Sequence, residues 1–487
     1  MVPADQGGGV MRTDLLTPTA EAITGLDDAL AAVDAFDEVL VAGLLRPGPA
    51  QAAGLTRLAG AVAGTPLAGR AAEAAERAAS GVADEGHFLV LAAARSAVLG
   101  AVHDALTDRL AEATGRPRPG VPDAPAPDAG DAPAANLLAA ARSWLGDLAR
   151  TGWQGLDHEV VSGAAPVVSA MLADPALRRL AVLLDGFAAE LAACCPGATT
   201  DAFPVRRWAD LWSRALLLTA PGALAPSPVG TAGGRLLPLG VDLQEHATAV
   251  QAQVHAVLEP ADGGTPRLVR ASVSAPKPDT VVGAGLWQLL RPHMSLLAAA
   301  GEGRSMELTD MPVTAEGDLL WDDAHASAGG PADPFATARV VLSTAEDTVT
   351  APLDRHPSRI AVPVFLDGYT ARTAGTDGDG EEGAGGLALL LAGQELAVDT
   401  DRIPAAGPLT PEAVAKSAAC IGLLRWDDDT FVLQPLAVET TARKKTTALH
   451  AGAWAGGTAD KAGAKAEKAA TDAVAVLRER AGRLLRK

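Results

Sequence analysis

Aromatic side chains and cysteines are both scarce in this sequence of 487 residues. Only 3% of the residues are aromatic, and Tyr369 is the single tyrosine. The three cysteines, Cys194, Cys195 and Cys420, are too few for a full disulfide framework, and none lies in a CxxC spacing. The cysteine content therefore excludes a disulfide-stapled secreted scaffold and favours a reducing compartment.

Long hydrophobic runs are missing as well. No stretch of about 18 uncharged apolar residues predicts a membrane span, because the Ala-rich segments are interrupted by charge, Gly or Pro. The first ten residues contain neither the basic region nor the apolar region of a secretory signal. From these features we expect a cytoplasmic protein with no transmembrane segment.

Positive charge is in deficit everywhere except at the C-terminus. The formal net charge is −19, yet residues 442–487 hold eleven basic and four acidic side chains. A body this acidic repels the phosphate backbone, which disfavours nucleic acid as its partner. Only the tail has the charge to bind an anionic polymer or membrane surface.

Signatures of catalysis and of cofactor binding are absent or incomplete. There is no Walker A sequence and no G-x-S-x-G elbow. His158 begins an H-E-x-x-H pattern, but Ser162 stands where the second zinc ligand belongs. The sequence thus assigns no catalytic residue, metal ligand or cofactor, and it favours a non-enzyme without deciding the question.

Hydrophobic periodicity predicts an α+β fold. Hydrophobic residues make up 48% of the chain, and their spacing is helical up to about residue 220. After Pro228 the period changes to two, which is typical of half-buried antiparallel strands. We therefore predict an N-terminal all-helical region followed by a mostly antiparallel β region with short helices and a basic C-terminal helix.

Composition shifts divide the chain further. The predicted segments are a helical domain (1–115), a Pro/Ala-rich linker (116–135), a second helical segment (136–222), an antiparallel β-rich domain (229–372), an acidic Gly-rich loop (373–386), a β-hairpin and small-helix module (387–455) and a basic amphipathic helical tail (456–487).

Several local predictions are specific enough to test. Trp208, Trp212 and Leu216 recur at helical spacing and predict a buried stripe. Residues 338–343 are predicted as a strand, and turn signals predict hairpins at 393–394 and 427–429. Thr410-Pro411 predicts the start of a short helix. No internal repeat of fixed period is found.

Polar side chains alternate with apolar ones along three predicted strands. If the first turn lies near Ala247-Thr248, Asp242 is opposite Gln253 and Gln244 is opposite Gln251. The pattern indicates either a binding face or an ordinary solvated sheet surface. The candidate binding residues on this face are Asp242, Gln244, His246, Gln251, Gln253, His255 and Arg270.

The basic tail predicts an amphipathic helix with arginines around an apolar stripe. It has the chemistry to dock on an acidic partner, on this chain's own acidic domains, on nucleic acid or on an anionic membrane, and it is equally typical of a solubilising terminal helix. The candidate contact residues are Arg443, Lys444, Lys445, Arg478, Arg480, Arg483 and Arg486.

These features favour a non-catalytic interaction protein, an adaptor or scaffold that binds partner proteins. One alternative is a hydrolase that uses Asp242, His246 and His255 with a carboxylate from Asp310, Asp322 or Asp323. The other is binding of nucleic acid or an anionic membrane through the tail. The sequence leaves the partner's identity and the oligomeric state open.

Overall fold

The computed structural model describes residues 23–116, 135–224, 229–373, 386–442, 445–459 and 461–484. Within these ranges a helical region is followed by two sets of mostly antiparallel strands with short helices, which confirms the predicted α+β fold. The predicted linker and acidic loop lie, apart from their end residues, outside the described part of the chain.

In the described residues the helical region contains nine α-helices that share one hydrophobic core. Helices on both sides of residues 117–134 contribute to this core, so the two predicted helical segments form one unit. In chain order they are α1 Leu26–Ala42, α2 Pro49–Ala61, α3 Ala68–Ala79, α4 Glu85–Thr114, α5 Ala135–Thr151, α6 His158–Ser162, α7 Ala164–Met171, α8 Arg178–Ala193 and α9 Val205–Leu218.

The central helices α4 and α9 begin and pack as their sequences predict. The Asp84 side chain accepts the backbone N–H of His87 at 3.0 Å and caps α4. Trp208, Trp212 and Leu216 of α9 are all fully buried. By length and composition α4 could cross a membrane, but half of its most apolar window is buried inside the protein, as in a core helix.

Of the next six strands, five close into a first barrel and the sixth pairs with the fourth. They are β1 Val229–Glu245, β2 Ala249–Pro260, β3 Arg267–Pro276, β4 Arg304–Thr314, β5 Asp318–Leu319 and β6 Ala326–Pro331. The long β1 pairs antiparallel with both β2 and β4, and β5 completes the ring by pairing parallel to β3 and antiparallel to β4. Two short helices, α10 Leu286–Leu290 and α11 Leu296–Glu302, connect β3 to β4.

After α12 (Pro334–Val340), the remaining strands form a second barrel. They are β7 Val362–Asp367, β8 Thr370–Thr373, β9 Leu387–Leu391, β10 Gln394–Val398, β11 Ala419–Asp427, β12 Thr430–Ala442 and β13 Lys445–His450, with α13 Pro411–Ala415 between β10 and β11. β7 pairs with β11 and β8 with β9, while β12 lies antiparallel to β11 and parallel to β10.

The two barrels repeat one connectivity. If β7 and β8 are taken as one bent strand, each barrel has a ring of five strands. When the strands of a ring are counted in chain order, the first neighbours the second, the second the third, the third the fifth, the fifth the fourth and the fourth the first. The third and fifth strands of each ring are parallel. Each has its helix between the third and fourth strands, which is the connectivity of five-stranded OB-type barrels. The sequence contains no fixed-period repeat, so the repetition exists only in the topology.

Two sequence predictions differ from the structure. Residues 338–343 lie in α12 and the turn after it, because Asp333 caps this helix by accepting the Phe335 N–H at 2.9 Å and Pro334 occupies its first turn. The predicted domain boundary at residue 372 falls inside the second barrel, because β7 and β8 pair with β11 and β9 rather than with the first barrel.

Both predicted hairpins are present, but the first turn lies at 392–393 rather than at 393–394, because Gln394 already pairs with Leu391. β9 and β10 form a hairpin with positive φ at Ala392 and Gly393, and β11 and β12 form one with positive φ at Asp428 and Asp429. The Thr410 hydroxyl accepts the Ala413 N–H at 3.2 Å and caps α13. These are short-range features that turn and cap chemistry specifies locally.

The second barrel packs against the outer face of the first. A register shift between Pro238 and Gly240 turns Leu239 outward, where it joins an inter-barrel apolar cluster with Val257, Ile421 and Phe335. At Gly240 an added Cβ would lie 2.7 Å from the Cβ of Leu436 in β12. The contact between the barrels therefore depends on a glycine.

The C-terminal helix α14 (Lys461–Leu484) docks on the first barrel. Ala470 is buried against the turn at Gly285, where an added Cβ would lie 2.6 Å from that of Ala470. Arg291 forms an ion pair with Glu467 at 3.1 Å. The first half of the predicted tail helix thus contacts the chain's own body.

Candidate functional site

The predicted strand register of the polar face is the register of the structure. Asp242 lies opposite Gln253 and Gln244 opposite Gln251. On the other side of β2, His255 lies opposite Arg270. We call the outward residues of these three strands the polar face; they are Asp242, Gln244, Gln251, Gln253, His255, Arg270, Ser272 and Ser274.

The two ends of this face have different surroundings. At the closed end, Asp242 and His255 are 2% and 4% exposed, and Arg270 is half-buried beside them. At the open end the side chains are half-buried or exposed; they are Gln244, Gln251, Gln253, Ser272 and Ser274. The face is therefore not solvated along its whole length, because other parts of the chain pack over one end.

Asp242 joins the two barrels. Its carboxylate accepts hydrogen bonds from Arg425 Nη2 at 2.9 Å, Gln434 Nε2 at 2.8 Å and Gln244 Nε2 at 2.9 Å. Arg425 Nε also donates to Gln434 Oε1 at 2.5 Å. Burial acts to raise the pKa of Asp242, but Arg425 and the two amides outweigh it and hold the pKa below its usual value.

A carboxylate bound in this way is a structural tie. Its oxygens accept from a guanidinium and two amides, and its partners Arg425 and Gln434 belong to β11 and β12 of the other barrel. A general base needs a free lone pair directed at a substrate proton. Asp242 therefore fixes the barrels to each other.

The residues of the predicted hydrolase are not brought together. His246 is exposed in the turn after β1. His255 lies opposite Gly240, which precedes His246 by six residues in the chain. At roughly 3.3 Å per residue this separates the two histidines by about 20 Å. Asp323 instead accepts the Ser295 N–H and the Trp321 indole N–H. Among the described residues, no group of three or more His, Cys, Asp and Glu could hold a metal.

His255 is buried without a hydrogen-bond partner for its Nε2 atom. Burial, with Arg270 and Arg425 nearby, lowers its pKa to about 4, so the ring is neutral at pH 7. It lines a cavity of about 100 Å³ at the meeting point of α4, the first barrel and the start of β7, which we call the junction cavity. Arg270 lines the same cavity, so the structure brings these two predicted binding residues together.

A second cluster was not visible in the sequence. The fully buried Arg95 binds Asp37 through two hydrogen bonds of 2.6 and 2.8 Å and contacts Asp210 at 2.6 Å. Asp210 contacts His356 Nε2 at 3.1 Å, and His356 Nδ1 contacts the Ser358 hydroxyl at 2.8 Å. These partners are far apart in sequence, so no spacing rule could have found them.

Ser358, His356 and Asp210 contact one another in the sequence Ser–His–Asp that a catalytic triad has, but their contacts are structural. His356 Nδ1 also accepts the backbone N–H of Ser358 at 3.1 Å and caps the short turn that follows. Asp210 is shared with Arg95 in the helical core. The row therefore anchors the chain entering the second barrel to the helical region.

A larger cavity of about 520 Å³ lies between α1, α2 and α4. Its lining consists mainly of alanine and valine, and its polar members include Arg57, Asp28 and two threonines. None of the predicted site residues lines it. Ligand sites need convergent polar groups to orient a substrate, and the junction cavity supplies more of them.

The tail contact residues are only partly described. The side chain of Arg480 is exposed on α14. Arg443, Lys444 and Arg486 lie outside the described residues, as do the side chains of Lys445, Arg478 and Arg483.

Comparison with known proteins finds no matching family model, no matching curated protein and no matching solved structure.

Proposed function

We propose that this chain is a non-catalytic interaction protein, an adaptor or scaffold, and that the open end of the polar face binds a partner protein. The observation that carries the proposal is the row of uncharged side chains on three adjacent strands. Gln253 Nε2 donates to the Ser272 hydroxyl at 2.9 Å, so part of the row is already ordered across two strands. Ordered polar groups lose less entropy when a partner binds.

The barrels supply a rigid base for this row. The Asp242 tie lies directly beside the open end, and the inter-barrel apolar cluster lies beyond the closed end on the same strands. OB-type barrels bind extended polymers on their second and third strands, which supports this face by analogy of fold.

A protein partner fits the row better than a nucleic acid. Single-stranded nucleic acid binds through a cationic groove and stacked aromatic rings. The open end consists of glutamines and serines, on a chain of net charge −19. Amide side chains both donate and accept, which matches the backbone groups of a peptide segment. The proposal requires no cofactor and places the protein in the cytoplasm.

The test is affinity purification of the full chain from its own cells, with a Gln251→Ala/Gln253→Ala variant alongside. We expect a stoichiometric partner whose recovery falls about tenfold in the variant, because loss of 1.4 kcal/mol of binding corresponds to a factor of ten. Gln154→Ala, an exposed glutamine of the helical region, is the matched control and retains the partner. Equal recovery with all three proteins would refute the open end as the contact surface.

Tail-mediated binding to nucleic acid or an anionic membrane is the second candidate. Lys461, Lys465 and Lys468 are exposed at helical spacing along α14, and Arg480 is exposed further on. Such a stripe predicts binding that weakens steeply with salt and is lost when residues 460–487 are removed. Binding that persists in high salt or in the truncated chain would contradict it.

A further inference from the structure

The edge of β3 beside the open end of the polar face has no neighbouring strand. On one side, β2 pairs with β3 from its first residue to its last. On the other side, β5 pairs only with Arg270 and Ala271, and Glu346 bridges to Arg267. Among the described residues, no strand therefore lies along the outer side of Ser272–Pro276.

The backbone groups of β3 alternate between its two sides. The Arg270 N–H donates to the Gly317 carbonyl at 3.0 Å, on the side away from β2. The Lys277 N–H donates at 2.8 Å to the carbonyl just before β2. Because successive residues of a strand direct their N–H and C=O groups to opposite edges, the even-numbered residues of β3 face away from β2. The carbonyl of Ser272 and both backbone groups of Ser274 consequently point to the unpaired side.

These three backbone groups are available to a partner. Ser272 and Ser274 are exposed, and within the described part of the chain the three groups form no hydrogen bond. After β5 the chain turns towards β4, where the Leu320 N–H donates to the Pro312 carbonyl at 2.9 Å. A row of unpaired N–H and C=O groups at a sheet edge is a template for an additional strand.

Two apolar side chains border the gap that this turn leaves beside β3. Val273 and Trp321 follow the last paired residues of β3 and β5 by two positions each, and both are only partly buried at the margin of the first-barrel core. Successive side chains of an extended segment point to opposite faces. A strand added here would place alternate side chains on Val273 and Trp321 and the others beside the serines of the polar face.

The charges at both ends of this edge are already paired. Arg270 forms a two-point ion pair with Asp318, and Lys277 pairs with Glu245 at 3.1 Å. Residues 271–276, which lie between the two pairs, contain no charged side chain. The edge therefore complements an uncharged segment, because no charge is left over to attract an acidic or basic one.

From this arrangement we infer that an uncharged extended segment of the partner protein adds as a strand to β3 at Ser272–Pro276, with aliphatic side chains on Val273 and Trp321 alternating with polar ones. The inference rests on the proposed function and specifies the form in which the partner is bound. Five residues at roughly 3.3 Å each give a contact about 16 Å long. In strand addition, main-chain hydrogen bonds supply affinity and alternate side chains supply specificity.

The test uses a phage-displayed library of random heptapeptides as the probe, selected on the full chain, with fluorescence titration of the recovered peptides. We expect uncharged peptides in which aliphatic and polar residues alternate. Ser274→Pro removes the outward N–H, and proline is tolerated at an edge position of this kind, so the variant should fold and bind about tenfold more weakly. Ser274→Ala keeps the N–H and should weaken binding by no more than about threefold. Ser343→Ala, at an exposed serine outside the strands, is the control and leaves binding unchanged.

Hydrogen exchange gives a measurement that does not depend on the variants. In the wild-type chain without peptide, the Ser274 amide is expected to exchange faster than the amides of Val273 and Ala275, which face β2. It should become protected when the selected peptide binds. Failure to select any peptide, equal binding by Ser274→Pro and Ser274→Ala, or a Ser274 amide that the peptide leaves unprotected would overturn strand addition.

The partner recovered from cells separates this inference from the proposed function. A partner that is lost with Gln251→Ala/Gln253→Ala but retained by Ser274→Pro would refute the added strand and leave the open end as the contact surface. Equal recovery with the wild type and the glutamine variant would refute the proposed function, and the inference with it.

Discussion

The carboxylate of Asp242 contacts three side chains, Gln244 of its own barrel and Arg425 and Gln434 of the other. Its partner Arg425 is 183 residues away in sequence. Removal of one member of a buried ion pair is costly because the other charge stays buried without compensation. A substitution at Asp242 is therefore expected to destabilise the contact between the barrels.

Asp242→Asn is expected to lower the free energy of unfolding by about 3 kcal/mol, because Arg425 then lacks its counter-charge. Urea denaturation at pH 7 measures the change. Asp279→Asn, an exposed aspartate in the loop after β3, is the control and should change stability by less than about 0.5 kcal/mol. If the two variants have equal stability, the tie does not contribute to folding.

The buried His255 gives the protein a specific acid sensitivity. Its pKa falls from an ordinary value of about 6.5 when unfolded to about 4 when folded, so the unfolded state takes up a proton first as the pH drops. Stability is therefore lost between pH 6.5 and pH 4. The shift corresponds to about 3 kcal/mol at 1.36 kcal/mol per unit.

We accordingly expect His255→Gln to lose about 2 kcal/mol less stability than the wild type between pH 7 and pH 4.5. Denaturant unfolding at the two pH values checks this. His246→Gln, the exposed histidine of the β1–β2 turn, should retain the wild-type difference. The same loss of stability in all three proteins would show that His255 does not titrate as a buried group.

At the element scale, the bend in β1 decides which side chains reach the second barrel. The register shift between Pro238 and Gly240 reverses the alternation, which the sequence predicted to be continuous. Leu239 then faces outward, and Gly240 lets β12 approach closely. A bulge of this kind changes which side chains of a strand face outward. Because the residue types of the strand stay the same, the hydrophobic periodicity of the sequence does not reveal the bulge.

Gly240→Ala is expected to destabilise the protein by about 1 to 3 kcal/mol, because the new Cβ would lie 2.7 Å from the Cβ of Leu436. Thermal unfolding measures the effect. Gly230→Ala is the control in the same strand, since its added Cβ meets no atom within 4 Å. Equal melting temperatures for both alanine variants would argue against a close approach at Gly240.

At the scale of the whole molecule, the helical region and the second barrel share one continuous hydrophobic core, and the first barrel packs against the second. Ion pairs such as Arg214 with Asp354 at 2.7 Å cross between helices and the β region. The C-terminal helix is attached to the first barrel by the packing of Ala470, Ala473 and Val474 and by the Arg291–Glu467 ion pair. Stability should therefore depend strongly on where the C-terminus is shortened.

A chain ending at residue 459 is expected to keep both barrels and to lose about 1 to 2 kcal/mol, since it lacks the Ala470 packing and the Arg291–Glu467 pair. A chain ending at residue 441 also lacks β13 and is expected to unfold at a much lower temperature. Calorimetry of both truncations tests this. Equal melting temperatures would mean that β13 does not support the second barrel.

The candidate site was predictable in part. The register of Asp242 and Gln244 against β2 followed from alternation and a short turn, and the structure has that register. The burial of Asp242 was not predictable, because Arg425 and Gln434 arrive from strands that no local pattern connects to β1. Asp333-Pro334 was a readable helix start that would have corrected the strand predicted at 338–343.

The sequence by itself determined the helices, the hairpin turns, the caps and the alternation of the polar face, because these depend on neighbours within a few residues. Only the tertiary structure decided that the strands close into two barrels of equal connectivity and that other parts of the chain bury the closed end of the polar face. Those outcomes depend on which surfaces from distant parts of the chain pack together. The hydrophobic effect is non-directional, so the choice of partner surface is decided by how closely the folded shapes fit and not by any local sequence pattern. The same packing created the junction cavity, which is lined by His255 with its Nε2 atom buried and without a hydrogen-bond partner.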